Sequence, residues 1–302
     1  MSIWQTKTWW EMLLKSKQAD KVFDINWIQI RKRKVSMWEY WLFIMWFDEE
    51  LDEKDVKQLI ELCKKQNCLF IQIETINYEN NFKLDISNFK NWYYKKFITP
   101  FTSVINLEET EEEILAKMKP KGRYNIKLAV KKWVEVKAVE KTDENIKKYY
   151  DLMLESTSRD SFNWNSMDYY KTFLNTLKES KLLLAYVNDK VIAWWIFTFF
   201  KETSIYYYWA STSDKKYRNF MAPYLLQWTA ITIAKELWSK LYDFLWVASP
   251  NEKNSELAWV TDFKLKLSQD VKNVSYSYIW INKGFKYNLI LLLKYFKKLI
   301  KK

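Results

Sequence analysis

The scarcity of glycine is the feature that most restricts how this chain can fold. Its 302 residues include 2 glycines and 18 tryptophans, whereas an ordinary globular chain of this length contains about 21 glycines. Glycine is the usual residue wherever the backbone must adopt a positive φ. The chain therefore has few residues suited to helix ends and tight turns.

Tryptophan stands at positions where such backbone is expected. Trp133 follows the helical stretch 129–132, and Trp238 follows the stretch 234–237; both lie just past a helix C-cap, where left-handed glycine is usual. Glycine is missing by nearly the amount by which tryptophan is in excess. We therefore hypothesise that the source organism translates UGA codons as glycine. Most of these tryptophans would then be glycine in the cell. A real tryptophan-rich surface is the alternative, and UGG codons at Trp133, Trp238 and Trp246 would favour it.

The composition excludes several classes of function. The 49% hydrophobic and 28% charged residues are typical of a folded globular protein. The chain contains no histidine, which excludes Ser-His-Asp and Cys-His catalysis and His-ligated zinc. Cys63 and Cys68 are the only cysteines, too few for a zinc tetrad or a disulfide framework. We expect no metal site.

The charge and the N-terminus bear on location and partners. A net charge of +12 favours an anionic partner such as a nucleic acid, a membrane surface or a phosphorylated substrate; lysine-rich codon usage is the alternative explanation. The N-terminal segment has no charged region followed by an apolar run, so we expect no signal peptide and a cytoplasmic protein. The segment 285–302 mixes apolar residues with lysines as a basic amphipathic helix, which predicts either a helix docked on its own domain or contact with the inner face of a membrane.

Alternating strands and helices predict an α/β (α+β) fold with two domains, 1–140 and 141–302, and a boundary near 138–143. In the first half the pattern predicts a strand over 21–34, a helix over 55–66, a buried strand over 68–74, a strand over 103–107, and a helix over 109–132 that is interrupted near Pro120. In the second half it predicts a helix capped at Thr142 or Asp143, a helix over 167–177, strands over 182–187, 191–200 and 204–211, a helix over 221–237, a strand over 242–247 and a helix over 255–267.

A series of motifs extends through most of the chain. They are Lys119-Pro-Lys-Gly-Arg-Tyr-Asn-Ile-Lys-Leu-Ala129 with the following Lys131-Lys-Trp-Val-Glu-Val136, Thr157-Ser-Arg-Asp-Ser-Phe162, Val191-Ile-Ala-Trp-Trp-Ile196, Tyr208-Trp-Ala-Ser-Thr212, Met221-Ala-Pro-Tyr-Leu-Leu-Gln-Trp228, Tyr242-Asp-Phe-Leu-Trp246 and Trp259-Val-Thr-Asp-Phe-Lys264. In order and spacing the chain resembles the Fem family, the aminoacyl-tRNA-dependent peptidyltransferases that build peptidoglycan cross-bridges.

The resemblance implies a fold and a reaction. The fold is two tandem domains like acyl-CoA N-acyltransferases (GNAT-like), each a mixed sheet flanked by helices. In the reaction, an amine on the stem peptide of a peptidoglycan precursor, lipid II or the soluble UDP-MurNAc-pentapeptide, attacks the ester of an aminoacyl-tRNA. The ester is already activated, so the enzyme mainly positions two anionic substrates and stabilises an oxyanion. The implied partners are the charged tRNA as co-substrate and the precursor, with no separate cofactor.

The resemblance also assigns site residues. Phe263 and Lys264 match the family's Phe-Lys pair, in which the lysine offsets negative charge at the tRNA terminus or at the tetrahedral intermediate. Asp243 and Glu74 are candidate proton acceptors for the attacking ammonium. The candidate substrate-binding residues are Lys15 for the precursor pyrophosphate, with Arg159, Tyr217, Arg218 and Tyr224 at the cleft. A solvated surface charge is the alternative for each basic residue except Lys264.

The family pattern also identifies glycine positions. Those occupied here by tryptophan are Trp10, Trp133, Trp194 or Trp195, Trp209, Trp238, Trp246 and Trp259. Trp9 and Trp228 match tryptophans of the family. The chain leaves no room between 169 and 184 for the long helical hairpin that some members insert.

Two other functions compete with this interpretation. An acetyl-CoA N-acetyltransferase acting on another amine would share the fold, but the segment 218–223 contains neither glycine nor tryptophan for a pyrophosphate-binding loop. A non-catalytic module that binds RNA or a membrane surface would also use the basic charge.

Overall fold

The computed structural model describes residues 2–36, 38–79, 84, 86–97, 99–160, 164–252 and 255–300, except for the side chains of 158–160, 297, 298 and 300. These residues divide into two compact units. Unit 1 comprises Met1–Ile98 and Val274–Lys302, and unit 2 comprises Thr99–Asn273. The boundary expected near 138–143 therefore lies inside unit 2, and the segment after residue 273 belongs with the N-terminal part of the chain.

The described elements follow in chain order. The first half contains a short 3-10 helix at Ile3–Gln5, then α1 Lys7–Lys15, β1 Lys21–Ile25, β2 Ile28–Lys34, β3 Tyr40–Phe47, α2 Glu53–Lys65, β4 Phe70–Thr75, β5 Phe101–Asn106, α3 Glu111–Lys117, α4 Pro120–Lys131 and β6 Glu135–Val139. The second half contains α5 Asp143–Asp160, α6 Met167–Thr176, β7 Ser180–Val187, β8 Lys190–Phe200, β9 Thr203–Ser211, α7 Lys215–Arg218, α8 Ala222–Glu236, β10 Leu241–Asp243, α9 Ala258–Lys264, β11 Val271–Asn273, β12 Ser277–Ile281 and α10 Gly284–Ile300.

Unit 1 is built on a five-stranded sheet of order β1-β2-β3-β4-β12 within the described residues. Strands β3 and β4 are parallel and connected through α2, and the other pairs are antiparallel. The apolar residues of α2, among them Val56, Leu59 and Cys63, pack on one face of the sheet. The last strand, β12, pairs with β4 and joins the C-terminal segment to this unit.

Unit 2 repeats this plan in a sheet of order β11-β5-β10-β9-β8-β7-β6, again within the described residues. Here β9 and β10 are the parallel pair, and the connection between them contains α7 and α8. Helix α8 contributes Leu226, Ala230 and Ile231 to a core that also contains Trp195 and Phe197 of β8. The predicted α/β architecture of two mixed sheets flanked by helices is confirmed.

Several local predictions also hold. The predicted helix over 109–132 is two helices, because Pro120 begins α4 after a break at Met118 and Lys119. Thr142 caps α5, since its hydroxyl accepts the Asn145 amide. The strand predicted over 242–247 is shorter, because β10 ends at Asp243.

The prediction of a single strand over 21–34 is wrong. This segment is a hairpin whose turn is Asn26-Trp27.

Candidate functional site

Lys264 is a buried cation at the end of α9 in unit 2. Only 5% of the residue is exposed, and its Nζ donates hydrogen bonds of 2.7 Å to the Leu245 carbonyl oxygen and 2.9 Å to the Trp246 carbonyl oxygen. Burial lowers the pKa of Lys264 to about 7, because desolvation penalises the charged form, while the Asp243 carboxylate acts in the opposite direction. An ammonium carries three donors, so one N–H remains for another acceptor.

The loop after β10 supplies these two carbonyl oxygens, and its fold is fixed by contacts on both sides. The Phe244 and Val247 amides donate to the Ser103 and Phe101 carbonyls of β5. The Ala248 amide donates to the Thr261 hydroxyl of α9 at 2.8 Å. The loop therefore holds its carbonyls toward the end of α9, where Lys264 lies.

Asp243 holds the start of this loop. It is fully buried, and its Oδ1 accepts hydrogen bonds from the Thr102 hydroxyl and, at 2.7 Å, from the Leu245 amide. The second bond accompanies a left-handed backbone at Leu245, with φ of 50°. Asp243 thus acts on Lys264 through its charge and through the loop that carries the Leu245 carbonyl.

Lys264 lies in the wall of a cavity of about 380 Å³. Polar groups of Ser156, Thr157 and Asn165 line the cavity on one side, and aromatic side chains, including Tyr206, Trp209 and Trp259, line much of the rest. The Lys264 Nζ lies 5.5 Å from the centre of the Tyr206 ring. A single buried cation among aromatic walls suits an uncharged or anionic acyl group better than a second cation.

A second cavity of about 240 Å³ collects the other predicted residues of this unit. Tyr217, Arg218, Tyr224 and Phe263 all line it. Tyr224 is buried and its ring contacts the Phe263 ring at a centroid distance of 5.0 Å, whereas Arg218 is exposed. The structure therefore brings five predicted residues, Lys264, Phe263, Tyr217, Arg218 and Tyr224, to two cavities of unit 2.

The start of α8 forms one side of the second cavity. Met221 has a left-handed backbone with φ of 58° and precedes Ala222 and Pro223. Pro223 has no N–H, and the Tyr224 amide donates to the Met221 carbonyl. The segment before α8 therefore offers few amides for the pyrophosphate that an acetyl-CoA enzyme binds at such a place.

Glu74 is a buried carboxylate of unit 1. Its residue is 1% exposed on β4, and its Oε1 accepts from the Gln72 side chain at 3.0 Å and from the Phe97 amide at 3.3 Å. Burial raises the pKa of Glu74 to about 7, opposed by the Phe97 amide bond and by the charge of Arg31. A carboxyl with this pKa can both take up and release a proton near neutral pH.

The remaining predicted residues have plainer surroundings. Lys15 lies at the exposed end of α1 and pairs with Glu11 at 3.6 Å. The side chain of Arg159 lies outside the described residues. Cys63 and Cys68 are buried free thiols, and burial raises their pKa values to about 12 and about 11. Across the described part of the chain, no His, Cys, Asp and Glu group of three or more is arranged to hold a metal ion.

Two repeated units, each a mixed sheet flanked by helices, define a tandem α/β protein with a buried lysine at an aromatic cavity of the second unit. A model of the FemAB family matches residues 87–192 and 188–295. The chain belongs to the FemAB family, which supports an acyltransferase activity of the kind that forms peptidoglycan bridges. The resemblance inferred from the motifs is confirmed.

Solved structures share the fold. The crystal structure of FemX is similar with a TM-score of 0.82 at 16% identity, over 96% of this chain and 94% of that one. A conserved protein from Bacteroides thetaiotaomicron gives 0.54 at 12% identity over 89% and 87%, and L-PGS from Bacillus licheniformis gives 0.51 at 10% over 88% and 84%. The curated proteins contain no significant sequence match to this chain.

Sequence reasoning missed the residues that form the walls of the site. The carbonyl oxygens of Leu245 and Trp246 bind Lys264, and backbone acceptors leave no signal in side-chain identity. Tyr206 is a buried residue in the core of unit 2 and also lines both cavities. Its place at the middle of β9, in a run of three tyrosines, was the available signal.

Proposed function

We propose that this protein transfers an aminoacyl group from aminoacyl-tRNA to an amine on the stem peptide of a peptidoglycan precursor. The amine attacks the ester carbonyl, a C–N bond forms and the ester C–O bond breaks. The ribose hydroxyl of the tRNA leaves with a proton that derives from the amine. No further cofactor enters this balance. Membership of the FemAB family supports the reaction class.

The observation that carries the proposal is the buried Lys264 at the cavity wall. Two of its N–H donors are held by the Leu245 and Trp246 carbonyls, and the third serves the oxyanion that develops on the ester carbonyl. Such a donor is effective because it is already oriented and lies in a site of low dielectric. We assign Phe263, which lines the second cavity, to hold the wall of that cavity, and Asp243 to position the loop.

The anionic substrates need cations of their own. In unit 2, Arg218 and Tyr217 line the second cavity at the start of α8, where we assign them, with Tyr224, to the phosphate and ribose of the tRNA terminus. Lys15 is assigned to the pyrophosphate of the precursor, following the family resemblance, and Arg159 stays a candidate substrate-binding residue. Within unit 1, Glu74, whose pKa burial raises to about 7, stays the candidate for proton uptake.

The test is a transfer assay with a panel of charged tRNAs and both precursor forms, lipid-linked and nucleotide-linked, read by mass analysis of the product. We expect transfer to one or more stem amines, and a loss of about 10²-fold or more in Lys264→Met, as for removal of an oxyanion donor. Lys240→Ala is the matched control, because Lys240 forms an exposed ion pair with Glu202. Unchanged transfer in Lys264→Met would contradict the assignment, and RNA binding without any transfer would favour a non-catalytic module.

We also propose that the protein works in the cytoplasm and contacts the membrane surface through α10. Helix α10 is attached to unit 1 at its start, where Tyr287 is buried and Lys286 pairs with Glu39 at 2.5 Å. No helix of the described residues is long and apolar enough to cross a membrane.

Beyond its attachment, α10 exposes an apolar stripe. Residues four and three positions apart lie on one face of a helix, and Phe285, Leu289, Leu292, Phe296 and Leu299 follow this spacing with exposures between 45% and 83%. Residues 283–302 contain seven lysines and no acidic residue. This charge opposes pairing with a second copy of the helix and favours an anionic bilayer, where each lysine near the surface contributes about 1 kcal/mol.

Co-sedimentation with vesicles tests this contact. We expect binding to phosphatidylglycerol vesicles, little binding to phosphatidylcholine vesicles, and a loss of binding in Leu292→Glu/Phe296→Glu. Leu154→Glu is the control, because Leu154 is also exposed but lies on α5. Equal binding of the control and the double variant would contradict the proposal, and a concentration-dependent dimer that the double variant disperses would assign the stripe to a second copy.

A further inference from the structure

Four tryptophans have backbone conformations that favour glycine. Their φ angles are positive, at 66° for Trp27, 51° for Trp46, 57° for Trp133 and 61° for Trp238. They account for 4 of the 12 described non-glycine residues with positive φ, whereas tryptophan is 18 of 302 residues, so tryptophan is strongly over-represented there. Tryptophan itself has no preference for this region.

Each of these four positions belongs to a known type of helix end, hairpin turn or strand bulge. Trp133 and Trp238 follow the C-caps of α4 and α8, and both helix ends carry the paired bonds of a Schellman motif, for example Val134 amide to Ala129 carbonyl at 3.1 Å. Trp27 is the second residue of the Asn26-Trp27 hairpin turn, where Asn-Gly is the preferred pair. Trp46 lies in the register shift of β3, where a left-handed glycine is common. Trp133 and Trp238 are 83% and 88% exposed.

Other tryptophans are crowded in the core. The centroids of the Trp194 and Tyr149 rings lie 3.3 Å apart at an angle of 50°, and those of Trp4 and Trp46 lie 4.1 Å apart. Aromatic pairs in proteins are usually 4.5–7 Å apart. Among the described residues, the buried indole N–H groups of Trp46, Trp194 and Trp195 have no hydrogen-bond acceptor, although buried donors are nearly always paired.

Two more tryptophans line both cavities of unit 2. Trp209 of β9 and Trp259 of α9 line both cavities, and their rings contact each other at a centroid distance of 5.2 Å. Arg218 and the start of α8 lie in the wall of one cavity, and Lys264 lies in the wall of the other. The paired indoles therefore belong to the wall that the two cavities share, together with Tyr206 and Val260.

We propose that the functional protein carries glycine at these left-handed and crowded positions and at Trp209 and Trp259, and that the two cavities are then one channel from Arg218 to Lys264. The channel takes an elongated ligand with a phosphate at the Arg218 end and an acyl group at the Lys264 end. This deepens the proposed function, because it states the shape and the charge of the donor that unit 2 accepts.

The first test reads the residues directly. Peptide mass spectrometry of the protein isolated from its own cells should find glycine at positions 27, 46, 133, 194, 209, 238 and 259, and the gene should carry UGA rather than UGG there. Tryptophan at these positions would overturn the proposal. Glycine at 133 and 238 with tryptophan at 209 and 259 would overturn the channel.

The second test probes the channel without any transfer assay. Pyridoxal phosphate, an aldehyde with a phosphate, forms an imine with an unprotonated lysine and releases water, and borohydride then traps the adduct. We expect labelling of Lys264, located by peptide mapping, to rise several-fold in Trp209→Gly/Trp259→Gly and also in Trp259→Gly alone. Trp38→Gly is the control, because Trp38 is an exposed residue of unit 1.

The outcomes separate the channel from the proposed reaction. Cooperative thermal unfolding establishes that each variant is folded, and the single substitution at the exposed Trp259 of α9 keeps the test usable if the double variant is not. Unchanged labelling of Lys264 in a folded variant would overturn the channel. Increased labelling without aminoacyl transfer would support the channel and count against the donor proposed above.

Discussion

Replacing the two exposed tryptophans at helix ends by glycine should stabilise unit 2. The substitutions are Trp133→Gly and Trp238→Gly, at positions with φ of 57° and 61°. A left-handed backbone costs an L-residue roughly 1–2 kcal/mol, and glycine does not incur this cost. Glycine also adds conformational freedom to the unfolded chain, and this reduces the stabilisation by roughly 0.4–1 kcal/mol at each site. Both indoles are almost fully exposed, so little packing is lost.

The net gain is roughly 0.5–1 kcal/mol for each substitution and 1–2 kcal/mol for both. In a unit that spans residues 99–273, this raises the Tm by roughly 2–8 °C, because 1 kcal/mol shifts the Tm of such a domain by about 2–4 °C. Differential scanning calorimetry and urea unfolding of each single variant and of the double variant measure the change.

Trp228→Gly provides the control for these variants. Trp228 lies inside α8 and packs against the core of unit 2, and its helical backbone does not favour glycine. This substitution should lower the free energy of unfolding by roughly 0.5 kcal/mol from helix propensity, and further through the packing that the indole loses. If Trp133→Gly and Trp238→Gly destabilise the protein as Trp228→Gly does, the reasoning from left-handed backbone is refuted.

Two buried ionisable groups predict opposite pH dependences of stability. Lys264 has a pKa lowered to about 7 in the folded chain, so between pH 7 and about 10.4 only the unfolded chain holds its proton; the free energy of unfolding should rise with pH in this window, relative to Lys264→Met. Glu74 has a pKa raised to about 7 in the folded chain. Its contribution to the free energy of unfolding is therefore present below about pH 4.3 and is lost as the pH rises to about 7. Glu74→Gln should remove this loss of stability. Urea unfolding at several pH values measures both. Parallel pH profiles of a variant and the starting chain would contradict the corresponding prediction.

Local periodicity predicted most elements of unit 2. The strands over 182–187, 191–200 and 204–211 correspond to β7, β8 and β9 within two residues at each end, because their apolar runs are bounded by clear turns such as Asn188-Asp189. The hairpin of β1 and β2 was missed, because its turn has tryptophan where the usual signal is Asn-Gly. The unit boundary was missed because the pairing of β12 with β4 joins residues about 200 positions apart, and no local pattern records it.

Only part of the site could be predicted, because some of its features depend on contacts between residues far apart in the chain. Family motifs identified Lys264, Phe263 and the residues around the start of α8, and these do gather at two cavities. The motifs could not reveal that Asp243 is fully buried and bonded to Thr102 and the Leu245 amide, because this depends on β5 lying beside β10.

The division of unit 1 between both ends of the chain sets an order of assembly during synthesis. Unit 2 is contiguous and ends at Asn273, whereas the sheet of unit 1 lacks its edge strand until β12 has been made. On the ribosome, β4 must therefore wait with one edge unpaired, and with Glu74 on that edge, while the whole of unit 2 is translated. An unpaired strand edge is prone to association with other chains. A nascent chain that stalls before residue 277 should thus depend on chaperones in a way that the finished protein does not.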